Sequence, residues 1–184
     1  MTGPLVHADG LHRCPWPGKD DAFYIAYHDD EWGRPEHDDD RLFEKLSLEA
    51  FQSGLSWRTI LTKRPHFRAA FHGFDYHRVA RFTEADVQRL LSDAGIVRHR
   101  GKIEATIANA RAMPTVIERH GSLRELVWSH APADRRAPRS MADVASTTSE
   151  STALSKALKA CGFRFVGPTT AYAAMQAIGV VNVH

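Results

Sequence analysis

Tyr24, Tyr27 and Trp32 lie in one ten-residue stretch, YIAYHDDEWG, interleaved with His28, Asp29, Asp30 and Glu31. A core helix does not collect three adjacent acids, and a solvated loop does not collect three large rings. Ring faces and carboxylates both attract positive charge, so the stretch suits a flat cation. Glu49 is a second oddity. At a 3.6-residue period it shares an arc with Leu42, Phe43, Leu46 and Ala50. A carboxylate on an apolar face is paired, protonated or awaiting a cation. An edge glutamate that reaches solvent or an arginine fits the same pattern. Trp16, Trp32 and Trp57 flank the acidic material. Indoles can sandwich a base, each stack worth roughly 1–3 kcal/mol in single-strand binders, and they serve equally well as core.

The cations are clumped. Arg58, Lys63, Arg64 and Arg68 form one group, Arg98, Arg100 and Lys102 another, with more at 135–139 and 156–164, while acids gather at 20–21 and 29–40. The net charge of +2 is only mildly basic. Its distribution suggests one face for a polyanion and a separate acidic pocket, although solvated faces account for each clump as well. Eleven histidines are many, yet there is no HExxH and no CxxC. Cys14 and Cys161 make no disulfide framework, and spacing alone defines no metal site.

These residues need a scaffold. A chain of 184 residues, 43% hydrophobic and 25% charged, is most simply one globular domain. No apolar run spans a membrane and no signal-like segment follows Met1, so the cytoplasm is the default location. Residues 1 to about 21 read as an irregular arm. From Asp40 the pattern is helical, apolar on all sides through Leu48 and Phe51, and therefore buried. Gly54 ends that helix and Ser56 caps the next, which runs to Pro65, with a short helix after it stopped by Gly73.

Thr83 and Asp86 form a capping box before Val87, Leu90 and Leu91, and Gly95 fits a left-handed closing residue. A second helix then carries Ile103, Ile107 and Ala110. This helix, glycine hairpin and helix suit a DNA backbone, because free amides and the positive end of the dipole at RHRGK can meet a phosphate. An ordinary helical hairpin reads identically. A further helix falls within 118–130, residues 131–150 read as a surface loop, and two helices ending at Gly162 and Gly179 complete the chain. With no β-alternation of useful length, the fold class is all-α.

The segments RCPW, YIAYHDDEWG, LFEKLSLEAFQSGLSW, DAGIVRHRGKIEATIANA, STALSKALKACGFRFVG and MQAIGVVNVH occur in order. Together they resemble the 3-methyladenine DNA glycosylase I family over Arg13 to His184, leaving 1–12 as an arm outside the match. The resemblance implies a helix-hairpin-helix glycosylase, its motif at about 83–113. Such an enzyme flips 3-methyladenine out of alkylated duplex DNA and hydrolyses its N-glycosidic bond, leaving an abasic site. It implies that Glu49 hydrogen-bonds the flipped base, that Trp57 stacks on it, and that Tyr27 and Trp16 complete the pocket. Gly54 and Leu55 would wedge the duplex, and Gly95, Arg98, Arg100 and Lys102 would hold DNA. Cys14, His28 and His184 match three ligands of a structural zinc that ties the termini together, while the family's fourth ligand, a cysteine, has no counterpart in this chain. The partner expected is double-stranded DNA bound by a monomer, with no membrane. Two rivals are a non-catalytic DNA-binding module and a hydrolase using metal at His28, Asp29, Asp30 and Glu31.

Overall fold

Ten consecutive residues of one helix, Leu42 to Phe51, are buried, which requires neighbours on every side. That helix is α2 (Asp39–Gln52), capped by Asp38, whose side chain accepts from the backbone N–H of Arg41 at 3.0 Å. The computed structural model describes residues 3–134 and 136–183. Around α2 stand α3 (Trp57–Ala70), α6 (Arg100–His120), α7 (Leu123–Trp128) and α9 (Pro168–Ala177). The remaining helices are α1 (Ala22–Asp30), α4 (Tyr76–Val79), α5 (Glu84–Leu91) and α8 (Ser149–Ala160), which packs on α9. One apolar cluster joins them, with Phe43, Phe51, Phe67, Phe71 and Phe74 fully enclosed. The architecture is helical, as expected from the sequence.

Three local expectations are corrected, at the arm, at Pro65 and at Gly95. Strands β1 (Leu5–Val6) and β2 (His12–Arg13) pair antiparallel within the arm, too short to show an alternation. Pro65 does not end a helix, since α3 runs through it to Ala70. Pro114 likewise sits inside α6, which continues to His120. In both, burial of the apolar residues beyond the proline outweighs one lost backbone hydrogen bond. Gly95 is not left-handed. It lacks a side chain because a Cβ there would meet the His66 ring at 2.8 Å and Asp93 Oδ1 at 2.9 Å.

The two ends of the described chain meet. The Cys14 thiol donates to the carbonyl of Val183 at 3.8 Å. Arg13, 7% exposed, grips Asp29 through three contacts of 2.7–3.0 Å and Asp9 through two of 2.8 and 3.0 Å. That clamp fixes the arm against α1.

Candidate functional site

A cavity of about 230 Å³ opens between α1, α2, the start of α3 and α9. Tyr24 and Tyr27, three residues apart on α1, share its face. Asp21 caps α1 by accepting from the N–H of Tyr24 at 3.1 Å. Trp16 stands edge-on to Tyr24 at 4.8 Å and to Trp32 at 5.0 Å. Trp57, the first residue of α3, lies 5.7 Å from the Tyr27 ring. Glu49 reaches the cavity from the middle of α2. The four residues expected at a base, Glu49, Tyr27, Trp57 and Trp16, are thus brought together. Met141, Val144 and Gln176 join them. Nothing in local spacing pointed to these three, because they come from the 131–148 loop and the last helix.

Electrostatics set Glu49 apart. Burial pushes its carboxyl up to about 8, against the opposing pull of the Lys45 ammonium. Among the described residues no donor reaches it. The Tyr27 hydroxyl and the Trp57 indole N–H are also buried without a protein partner. Burial pushes the Tyr27 hydroxyl far above the ordinary phenol range, so it keeps its proton. Polar groups left so in an apolar wall are costly unless something else satisfies them.

The acids of the YHDDEWG segment do not supply the cavity's charge. Asp29 is turned to Arg13 and to His28 Nδ1 at 2.8 Å. Glu31 bonds Arg64 at 2.6 and 2.8 Å and pairs with Lys45. Burial would raise Glu31, but Arg64 and Lys45 outweigh it and hold the carboxyl at about 2. Both cations lie over the Tyr27 ring, 5.4 Å for Lys45 and 5.9 Å for Arg64. The aromatic half of the stretch lines the cavity and the acidic half braces it from behind.

Beside the cavity, residues 52–55 form a tight turn. The N–H of Leu55 donates to the carbonyl of Gln52 at 2.7 Å, and Gly54 has φ +82°, as the third position of a type II turn requires. Leu55 at its tip is 40% exposed. In the hairpin between α5 and α6, Arg98 is exposed. Arg100 is partly occupied, bonding Glu84 at 3.0 Å and Glu104 at 2.9 Å. Lys102, expected at a phosphate, is instead 7% exposed and donates to the carbonyls of Phe51 and Ser53.

Of the expected zinc ligands, Cys14 and His28 flank Trp16, whose ring is 5.2 Å from the imidazole. His184 lies outside the described residues. Among those described, no group of three or more His, Cys, Asp or Glu side chains gathers to hold a metal ion. The donor chemistry suits zinc nonetheless. A thiol sits against the carbonyl preceding His184, and an imidazole is oriented through Nδ1 by a carboxylate.

A family model described as methyladenine glycosylase matches residues 16–184. The chain is similar to DNA-3-methyladenine glycosylase 1 of Escherichia coli (strain K12), 50% identical over 95% of this chain and 94% of that one. A DNA-3-methyladenine glycosylase of Haemophilus influenzae is 45% identical over 94% of each. The backbone of this chain superimposes, with a TM-score of 0.88, on a Staphylococcus aureus 3-methyladenine DNA glycosylase I solved to explain 3-methyladenine recognition. The two are 35% identical over 94% of this chain and 92% of the other.

Proposed function

The chain belongs to the methyladenine glycosylase family, and we infer that it excises 3-methyladenine from alkylated DNA through the cavity between Tyr27, Trp57 and Glu49. The observation that carries this reading is the Glu49 carboxyl, buried in an aromatic cavity with no donor of its own. Methylation at N3 makes adenine a cation and weakens its glycosidic bond. Such a base needs little protonation to leave. It needs to be extruded, held flat and exposed to water while the sugar develops oxocarbenium character.

Each part has a place for that work. Leu55, on its turn, fills the gap in the stack. Tyr27 and Trp57 offer ring faces to the cation. Burial favours the neutral form of Glu49, and an arriving positive ring favours its ionised form. Neutral adenine earns no such gain, so selection is by charge as well as shape. Helix α6, which follows the hairpin, contains no Asp, consistent with a leaving group that is already activated.

We extend the reading to duplex DNA bound by a monomer in the cytoplasm. No described helix is long and apolar enough to cross a membrane. The test is product analysis on methylated duplex DNA. Free 3-methyladenine and abasic sites without strand breaks are expected. Release of 7-methylguanine as readily as 3-methyladenine would overturn the narrow cavity, and no released base would favour a binding module.

Arg98 is exposed at the hairpin, where phosphate binding is independent of damage. Arg98→Ala lowers affinity for damaged and undamaged duplexes alike and flattens the salt slope by about one. Arg100→Ala has a smaller effect, because its guanidinium must first leave Glu84 and Glu104. A loss confined to damaged DNA would move either residue to the cavity.

The cofactor we assign is a structural zinc held by Cys14, His28 and His184. When bound it would cross-link the chain's ends and take no part in the reaction. Chelation is expected to lower the melting temperature and leave 3-methyladenine excision per folded molecule unchanged. Absence of metal after saturation with zinc would remove the site, and loss of excision without loss of folding would remove the structural role.

A further inference from the structure

The hairpin and the turn carrying Leu55 are joined through one side chain. Lys102 lies in the first turn of α6, and its N–H donates to Nδ1 of the capping His99 at 3.1 Å. Its ammonium reaches across to α2, donating to the carbonyl of Phe51 at 2.9 Å and of Ser53 at 2.6 Å. The last carbonyls of a helix have no partner within it and carry the negative end of its dipole, so a cation there is favoured. One of the two carbonyls is anchored. The Phe51 ring is fully buried and packs 4.7 Å from Phe67. The other belongs to the turn itself, since Ser53 is the second residue of the type II turn that ends at Leu55. Gln52 secures the far side, its amide donating to the Leu55 carbonyl at 2.9 Å.

We propose that Lys102 is a positioning residue that transmits the hairpin's hold on DNA to the Leu55 turn, holding the wedge in register with the anchored end of α2 for base extrusion. This rests on the glycosylase reading above. Burial lowers the Lys102 ammonium from its ordinary range, and a well-packed apolar side chain often stabilises such a place as well as a charge does. A lysine kept there is explained by geometry at the turn better than by stability.

The test uses the full chain with Lys102→Met, which packs but cannot donate, and Lys102→Arg, which keeps charge and donors. Wild-type protein must release 3-methyladenine in the same assay, so a failure of the glycosylase reading appears in the control and not in the variants. For Lys102→Met, unchanged salt dependence on undamaged duplex and unchanged binding of free 3-methyladenine are expected. Single-turnover excision should fall by about tenfold or more, because small misplacements at a reacting site are costly. The fluorescence of 2-aminopurine beside the damaged base, which reports unstacking, should fall with it, and Lys102→Arg should restore both. A salt slope reduced by about one would make Lys102 a phosphate ligand and overturn the proposal. So would free-base binding lost in parallel with excision, which is a general structural defect, or excision left intact. If Lys102→Met does not fold, Lys102→Gln against Lys102→Arg carries the same comparison.

Discussion

Glu49→Gln lowers kcat/KM for 3-methyladenine excision by about a hundredfold, the equivalent of about 3 kcal/mol for losing a charged partner in a buried site. Binding of undamaged DNA hardly changes, because Glu49 lies within the cavity and not at the hairpin. The substitution also alters stability against pH. Wild-type Glu49 has its carboxyl raised from the ordinary 4.5 to about 8. Between those values the folded chain holds a proton that the unfolded chain has lost, so the stability contribution is full below about 4.5 and declines until about 8. The upper bound on that decline is about 5 kcal/mol. Glutamine has nothing to titrate, so urea unfolding at pH 5 and pH 9 should show wild type losing more stability than the variant. Parallel profiles would mean that Glu49 is ionised and paired in the folded chain.

Trp57→Ala weakens 3-methyladenine binding by roughly 1–3 kcal/mol, or about 5- to 150-fold, the range for one lost stacking face. The ring is placed for this by its position directly after the Ser56 cap of α3 and by its approach to Tyr27. Trp57→Phe keeps a smaller face and loses less. Tyr27→Phe separates the polar part from the face. It removes a buried hydroxyl with no protein partner, so the empty protein is no less stable, while base binding falls if that hydroxyl meets the base. Competition by free 3-methyladenine, beside retention of undamaged duplex, measures all three. Equal losses in both assays for Trp57→Ala would make Trp57 a core residue only.

The residues Leu42 to Phe51 announced a buried helix by themselves, since apolar side chains at every turn admit no solvent face. The oddity of Glu49 was legible for the same reason. The capping box at Thr83 and Asp86 and the positive-φ glycines at 162 and 179 were legible too, because caps and chain reversals depend on a few neighbouring residues. The family was legible because its long motifs stand in order. What only the tertiary structure decided was the direction of charged side chains. Lys102 turns inward because carbonyls 49 and 51 positions earlier in the chain need donors. Asp29 and Glu31 face away from the cavity because Arg13, Lys45 and Arg64 are folded against them. Prolines 65 and 114 stay within helices because packing beyond them outweighs one missing bond. Met141, Val144 and Gln176 reach the cavity through folds of the chain that no local period encodes. Periodicity and capping act over one or two helical turns, whereas ion pairs and cavity walls are made by residues that meet only when the whole chain is packed.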